Sequence, residues 1–269
     1  MHQKKFYGQH FLRDQSVVGA IIEAAQIKKG DNVLEIGPGE GVLTRELVLK
    51  AKKVISVDID RDAIVATRNN VTSDRLQLLE QDVLSLRDED VKRMFDDEPY
   101  VLIGNVPYNI TSKILQWSLG LGHRPERAII MIQREVADRL LAPAGDMSLL
   151  GVIVQLAASV SLVAHVPRDA FSPPPKVESA VIRLDLYSAE DNHARGVKDK
   201  EKIIRFAKVA FLQKRKQMKT TLGALPDVGV TQLETHLKKL GYPETARPEE
   251  LSIGDWIALY NLTHQNCRG

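Results

Sequence analysis

Cysteine is nearly absent. The 269 residues contain one, Cys267, so no disulfide and no cysteine-based metal cluster can form within a single chain. That suits a reducing, cytoplasmic home. Long apolar runs are missing too. The most apolar stretch, Leu149 to Ala164, is interrupted by Gln155, Ser159 and Ser161, and it falls short of the roughly 18 apolar residues of a membrane span. It reads as buried core, and no membrane partner is expected. The first residues, MHQKKFYGQHFLRDQ, lack the apolar centre of a secretory signal. The histidines are scattered, with no HExxH or comparable pair, so no metal is expected. Excess charge of one sign is also lacking. With 37 basic and 35 acidic residues, a nucleic-acid binder would have to concentrate its charge on one surface.

What the chain does have is alternation. Val33 to Ile36 is strand-like and runs into a glycine-rich turn, and Val42 to Leu49 then reads as a helix. Val54 to Asp58, Leu76 to Leu79, Tyr100 to Ile103 and Ala128 to Ile132 repeat the strand pattern, with helical stretches between them. Such order predicts an α/β fold with a mostly parallel sheet. The last strand signals, around Val163 and over Val181 to Leu186, lack a clear intervening helix and suggest an added antiparallel pair. Ser188 to Gly196 has no apolar period and reads as a linker. Beyond it the pattern is helical only, over about 199–213, 215–224, 230–240 and 249–263. We therefore expect a domain of residues 1–188 followed by a small all-α domain of residues 189–269.

Ligands of open α/β sheets bind outside the carboxyl ends of the strands. Gly37, Gly39 and Gly41 form G-x-G-x-G at the first such end. A dinucleotide site wants G-x-G-x-x-G, and Val42 occupies its last position. The alternative is E-x-G-x-G-x-G starting at Glu35, which resembles the first motif of class I S-adenosylmethionine methyltransferases. Asp58 ends the next strand, where an acidic group meets ribose hydroxyls in such folds; read plainly, Asp58 or Asp60 is a helix N-cap. Asp82 ends the third strand. The resemblance implies that it accepts from the cofactor's adenine amino group; read plainly, it is a turn aspartate.

Asn105-Val106-Pro107-Tyr108 follows the fourth strand. An amino group conjugated to a ring is a poor nucleophile, because its lone pair is delocalised. The Asn105 side-chain oxygen and a backbone carbonyl beside Pro107 can accept its two N–H bonds and turn the lone pair towards a methyl donor. Pro107 stiffens that carbonyl, and Tyr108 offers a face for a flipped-out base. No general base is obvious, and the proton of a neutral amine can leave to water after transfer.

Together these motifs resemble the KsgA-type dimethyltransferases of small-subunit ribosomal RNA, over nearly the whole chain. Tyr7-Gly8-Gln9-His10-Phe11-Leu12 is similar to the segment that closes over the cofactor in that family. EIGPGEG, VDIDRD, QDVL and NVPYNI follow in family order. FSPPPKVESAV, from Phe171 to Val181, resembles a further signature whose aromatic stands beside the target base. FLQKRKQMKTTL, from Phe211 to Leu222, resembles a C-terminal basic segment. Three positions depart from the pattern: Val106 replaces a Leu, Lys214 an Arg, and Thr220 stands where Asn is common. The resemblance implies a Rossmann-like class I methyltransferase using S-adenosylmethionine. Its cofactor site would include Gln9, His10, Leu12, Glu35, Gly37, Gly39, Gly41, Asp58, Asp82 and Asn105. Asn105, Pro107, Tyr108 and Phe171 would hold the adenine. The implied substrate is two adjacent adenosines near the 3′ end of 16S ribosomal RNA in the immature small subunit. The competing readings are a 23S enzyme of the macrolide-resistance type and a non-catalytic ribosome-assembly factor.

From Lys198 to Lys219 there are nine basic residues against two acidic ones. Lys198, Lys202, Arg205, Lys208, Lys216 and Lys219 share about a third of a helical circumference at 3.6 residues per turn, if one phase persists. Lys-rich faces are usually just solvated. Here Lys4, Lys5 and Arg13 lie near the expected mouth of the site. Together with Lys202, Arg205, Lys208, Lys214, Arg215 and Lys216 they make two patches suited to RNA phosphates. The enzyme is expected to act as a monomer.

Overall fold

The structure, a computed structural model, describes residues 10–213 and 216–264. In chain order it begins with β1 (Phe11–Leu12), α1 (Gln15–Ala25), β2 (Asn32–Ile36), α2 (Val42–Lys50), β3 (Lys53–Asp58), α3 (Arg61–Asn70) and β4 (Leu76–Glu80). Next come α4 (Asp88–Phe95), β5 (Tyr100–Asn105), α5 (Thr111–Gly120), β6 (Arg127–Gln133), α6 (Arg134–Leu141) and α7 (Leu149–Ala157). Then follow β7 (Ala158–Val166), β8 (Phe171–Ser172) and β9 (Ser179–Leu186). The chain closes with α8 (Ala189–Ala194), α9 (Lys200–Phe211), α10 (Met218–Thr221), α11 (Val230–Lys239) and α12 (Ile253–Thr263). Two compact units emerge. One runs through residue 137 and takes in 159–186; the other joins 138–158 to the chain from 187 onward.

The first unit is built on a sheet of order β4-β3-β2-β5-β6-β9-β7. Its first five strands pair in parallel, and β9 runs antiparallel to β6. Every residue of β2 is buried, as are Val54 to Val57 of β3 and Tyr100 to Gly104 of β5. Strands covered on both faces read as unbroken apolar runs for this reason. Helix α1 starts at Asp14, whose carboxylate accepts from the Ser16 and Val17 N–H groups, and it buries Val17, Val18, Ile21, Ile22 and Ala25. Its last carbonyls are capped from the sheet: Arg183 Nη1 donates to Ala24 O at 2.8 Å, and Arg127 Nη1 donates to Ala25 O. A cation at a helix C-terminus also meets the favourable end of its dipole.

The apolar stretch from Leu149 divides between two elements. Its first part is helix α7, buried at Val152, Val154 and Leu156. Its second is the edge strand β7, which exposes Ser159, Ser161, Leu162 and His165. The expectation of buried core thus holds for the helical part and fails for β7, whose residues are buried only at Ala158 and Val166.

In the second unit, Val152 and Leu156 of α7 share a core with Ile203, Phe206, Ala207 and Ala210 of α9 and with Trp256 of α12. The Phe206 ring meets Tyr260 edge-on, with centroids 5.7 Å apart. The segment expected to be a linker contains helix α8. Ser188 accepts from Asp191 N while Asp191 accepts from Ser188 N, a capping box that an apolar-period search does not register. Helix α9 stops at Phe211, and Gln217 is extended ahead of α10. The helical phase therefore breaks before Lys216 and Lys219. Among the described residues no helix is long and apolar enough to cross a membrane.

Candidate active site

The carboxyl ends of β2, β3 and β5 open onto a cleft in the first unit, with about 870 Å³ of empty space counted together with the open solvent at its mouth. His10, Gly37, Gly39, Asp58, Asp82, Asn105, Pro107, Tyr108 and Phe171 all line it. Motifs far apart in the chain thus meet on one wall, and the parallel topology brings those at the ends of β2 to β5 there.

The glycine turn leaves β2 with φ of +73° at Gly37, +59° at Gly39 and +83° at Gly41. At Gly37 the reason is visible. A Cβ there would stand 2.6 Å from the Asn105 carbonyl oxygen, so only glycine lets the turn pass this close to β5. Gly41 instead packs beneath α3, where a Cβ would meet Val71 at 2.9 Å. From the same side Thr67 Oγ1 donates to Gly39 O at 3.1 Å, and Asn70 Nδ2 donates to Glu40 O at 2.9 Å.

Asp58 accepts from Asp60 N at 2.9 Å, and burial pushes its carboxyl up to about 6. Asp60, itself buried, caps α3 through the Asp62 N–H. Asp82 accepts from Leu84 N at 2.9 Å at the start of a 3-10 turn over Val83–Ser85. The helix cap is thus Asp60 and not Asp58, while Asp60 and Asp82 each combine a capping bond with a place on the cleft wall.

Tyr108 is held by its hydroxyl, 2.6 Å from Ser179 Oγ, and burial raises the phenol's pKa above its ordinary value. The His10 ring lies within 22° of parallel to Tyr108, with centroids 6.3 Å apart, and its Nδ1 donates to Pro173 O at 2.8 Å. Phe171 reaches the cleft through β8, which pairs with β1: Phe11 stands opposite Ser172, and Leu12 opposite Phe171. The N-terminal strand and the loop bearing Phe171 thus form one small ribbon over the glycine turn, where a Cβ on Gly39 would touch Phe11 at 3.3 Å.

Three candidates do not line the cleft. Leu12 is buried in the core, since strand residues alternate sides and Phe11 takes the cleft side. Gly41 lies under α3. Glu35 is 1% exposed and bonded to Thr44 and Ser56; burial pushes its carboxyl up to about 7. The structure also adds Phe11, Ile59 and Gln81 to the wall and Ser179 behind Tyr108. Each of the wall residues sits beside a motif residue, and Ile59 is a 55% exposed isoleucine, which apolar patterning would place in the core.

Of the basic candidates, Lys202, Arg205 and Lys208 are exposed along α9, opposite buried Ile203, Phe206, Ala207 and Ala210. Lys202 is 3.3 Å from Asp199. Lys216 is exposed, while Lys219 faces Glu234 at 3.8 Å. Arg13 is paired with Glu40 at 2.6 Å. Lys4, Lys5, Gln9, Lys214 and Arg215 lie outside the described residues. Among the described residues no cluster of His, Cys, Asp and Glu is arranged to hold a metal ion.

The family model of ribosomal RNA adenine dimethylase matches residues 1–265. A ribosomal RNA small subunit methyltransferase A of Acaryochloris marina is 39% identical, over 97% of both chains. Among solved structures, the 23S rRNA methyltransferase ErmE superposes with a TM-score of 0.76 at 28% identity, covering 94% of this chain and 98% of that one. A dimethyladenosine transferase from Plasmodium falciparum superposes with a TM-score of 0.76 at 27% identity, covering 93% of this chain and 96% of that one. A match spanning both compact units leaves one assignment: the chain belongs to the ribosomal RNA adenine dimethylase family.

Proposed function

We propose that this chain dimethylates N6 of two adjacent adenosines near the 3′ end of 16S ribosomal RNA, in the immature small subunit, with S-adenosylmethionine as donor. The observation that carries the reading is the contact of the two motifs: the glycine turn at Gly37 abuts the backbone of Asn105. A donor seated on the turn and an amine held by Asn105 would then be neighbours.

The wall fits the cofactor. Gly37 and Gly39 present bare backbone to the cleft. Asp58 offers carboxylate oxygens for ribose hydroxyls, and Asp82 has an acceptor for an adenine amino group. His10 and Phe11 cover the turn, and Gln9 extends this segment. When bound, S-adenosylmethionine supplies a methyl group on a positively charged sulfur. The chain's own part is positioning. Asn105 Oδ1 and a carbonyl beside Pro107 accept the two N–H bonds of the adenine amine, which directs its lone pair. Tyr108 and Phe171 stack on the ring. The ribbon of β1 and β8 shields the site from water. Holding reactants in line in this way removes much of the entropic barrier.

The second unit supplies RNA contacts through Lys202, Arg205, Lys208 and Lys216, and Lys4, Lys5, Arg13, Lys214 and Arg215 complete the set of phosphate-binding side chains. On our reading the enzyme acts in the cytoplasm as a monomer, with residues 1–188 doing the chemistry and 189–269 docking RNA. Kinship favours the small subunit as substrate, since the Acaryochloris marina protein is named for it. The likeness to a 23S enzyme keeps the large subunit as the second reading. Mass mapping of methylated adenines decides between the two. Immature small subunits and large-subunit RNA are each incubated with the protein and S-adenosylmethionine. Two dimethylated adenines in 16S RNA are expected, and methylation confined to 23S RNA would overturn the proposal.

A further inference from the structure

Glu35 opens the glycine motif, yet it is not on the cleft wall. One of its oxygens, Oε2, accepts two hydroxyls: Thr44 Oγ1 at 2.7 Å and Ser56 Oγ at 2.5 Å. All three residues are at most 1% exposed. The other oxygen, Oε1, is buried without a hydrogen-bond partner.

The partners lie on different elements. Ser56 is the register partner of Glu35 across the β2–β3 pair. It is two residues before Asp58, on the same face of β3. Thr44 is the third residue of α2, whose N-cap, Gly41, makes no side-chain capping bond. The first N–H groups of a helix are orphan donors aimed along its axis. Here their position relative to the sheet is tied through Thr44. From the outer side, the turn is held by Thr67 and Asn70 of α3. Glu35 is the corresponding anchor on the inner side.

We infer that Glu35 is a positioning residue for the cofactor: it acts through Thr44 and Ser56, holding the start of α2 and the Asp58 end of β3 in register, and does not itself touch the ligand. This rests on the cofactor reading above. A buried acceptor shared by two hydroxyls couples their elements, and residues in one hydrogen-bond network lose binding non-additively when removed.

The test is calorimetric titration of S-adenosylmethionine into the full-length chain, paired with kcat and KM for methylation of small subunits. Thr44→Val and Glu35→Ala should each weaken cofactor binding about tenfold, within the range of charge-assisted hydrogen bonds. KM should rise in step, while kcat at saturating cofactor stays within about twofold. Thr44→Ser should restore what Thr44→Val loses, and Glu35→Gln should recover most of the loss in Glu35→Ala. The Thr44→Val/Glu35→Ala pair should bind no more weakly than Glu35→Ala alone. The inference is overturned if Glu35→Gln is as weak as Glu35→Ala while Thr44→Val and Ser56→Ala bind like wild type, since Glu35 then meets the ligand directly. It is equally overturned if every variant binds like wild type. Should Glu35→Ala fail to fold, the Thr44→Val and Thr44→Ser comparison decides. Failure of the folded wild type to bind S-adenosylmethionine would instead sink the cofactor reading itself, before any variant is compared.

Discussion

Gly37 and Asn105 are in backbone contact: a methyl group on Gly37 would lie 2.6 Å from the Asn105 carbonyl oxygen, closer than any real Cβ contact. The glycine turn and the Asn105–Tyr108 motif therefore share one packed junction. Gly37→Ala must strain a φ of +73° and also push β5 away. The left-handed backbone alone costs about 1–2 kcal/mol for a residue with a Cβ. We expect at least a tenfold loss of S-adenosylmethionine affinity, and a fall in kcat as Asn105 shifts. Calorimetry and turnover on the folded variant check this, and unchanged values for both would show the junction to be slack.

Asp58 links pH to both stability and binding. Its carboxyl is raised from 3.8 to about 6 by burial, so the folded chain holds that proton more tightly than the unfolded chain. Ionised Asp58 thus opposes folding at neutral pH, by on the order of 2–3 kcal/mol, because a tenfold difference in proton affinity is worth about 1.36 kcal/mol. The penalty is relieved as pH falls from about 6 towards 3.8. Asp58→Asn should therefore raise the melting temperature at pH 7 while weakening the cofactor by about 1–3 kcal/mol through lost polar contacts. If Asp58 binds the ribose as proposed, wild-type cofactor affinity should decline below about pH 6, as its carboxylate is protonated. Melting curves and titrations from about pH 5 to about pH 8 measure both, and a variant that is neither more stable nor weaker in binding contradicts the account.

Asn105 and Tyr108 should separate in their effects. Asn105→Ala removes the side-chain acceptor for the amine and should cut kcat on the order of 10²-fold, the scale of losing one preorganised polar group, with only a modest change in cofactor affinity. Tyr108→Phe keeps the stacking ring but loses the bond to Ser179, 2.6 Å away. Such a bond is worth about 1 kcal/mol, so a several-fold fall in kcat is expected. Near wild-type turnover by a folded Asn105→Ala chain would refute the acceptor role.

Docking and stacking should differ in salt dependence. Reversing Lys202, Arg205 and Lys208 to Glu should weaken subunit binding and lower the log–log salt slope by roughly 0.7–0.9 per lost phosphate contact. Cofactor binding should be untouched, because the cleft is lined by residues of the other unit. Phe171 is 4% exposed and packs in the core as well as on the cleft, so Phe171→Leu is the cleaner probe than Ala. It should impair turnover by about 1–3 kcal/mol through lost stacking and leave the slope alone. Subunit affinities at several salt concentrations test the pair. A triple reversal with unaltered slope would make the α9 stripe a solvated face and move docking elsewhere.

The chain's own order of residues determined the alternation of strands and helices, the position of each motif just after a strand, and the helical character beyond residue 199. Those properties are local. Apolar period, turn chemistry and the strand-end rule for ligands decide them, and Gly37, Asp58, Asp82 and Asn105 reach the cleft as that rule requires. Tertiary structure decided the rest. A hydrophobic pattern reports that a residue is buried, not what it is buried against. Hence Leu149 to Ala157 gave no sign that it would share a core with α9 and α12. Nothing near Phe11 and Leu12 foretells pairing with Phe171 and Ser172, because strand partners are chosen by long-range packing. The same pairing turns Phe11 to the cleft and Leu12 to the core. Glu35 stands inside a motif that names it a cofactor residue, but register with Ser56 and the approach of Thr44 draw its carboxylate beneath the turn. A motif preserves which residues are present, and packing settles which of their atoms meet the ligand.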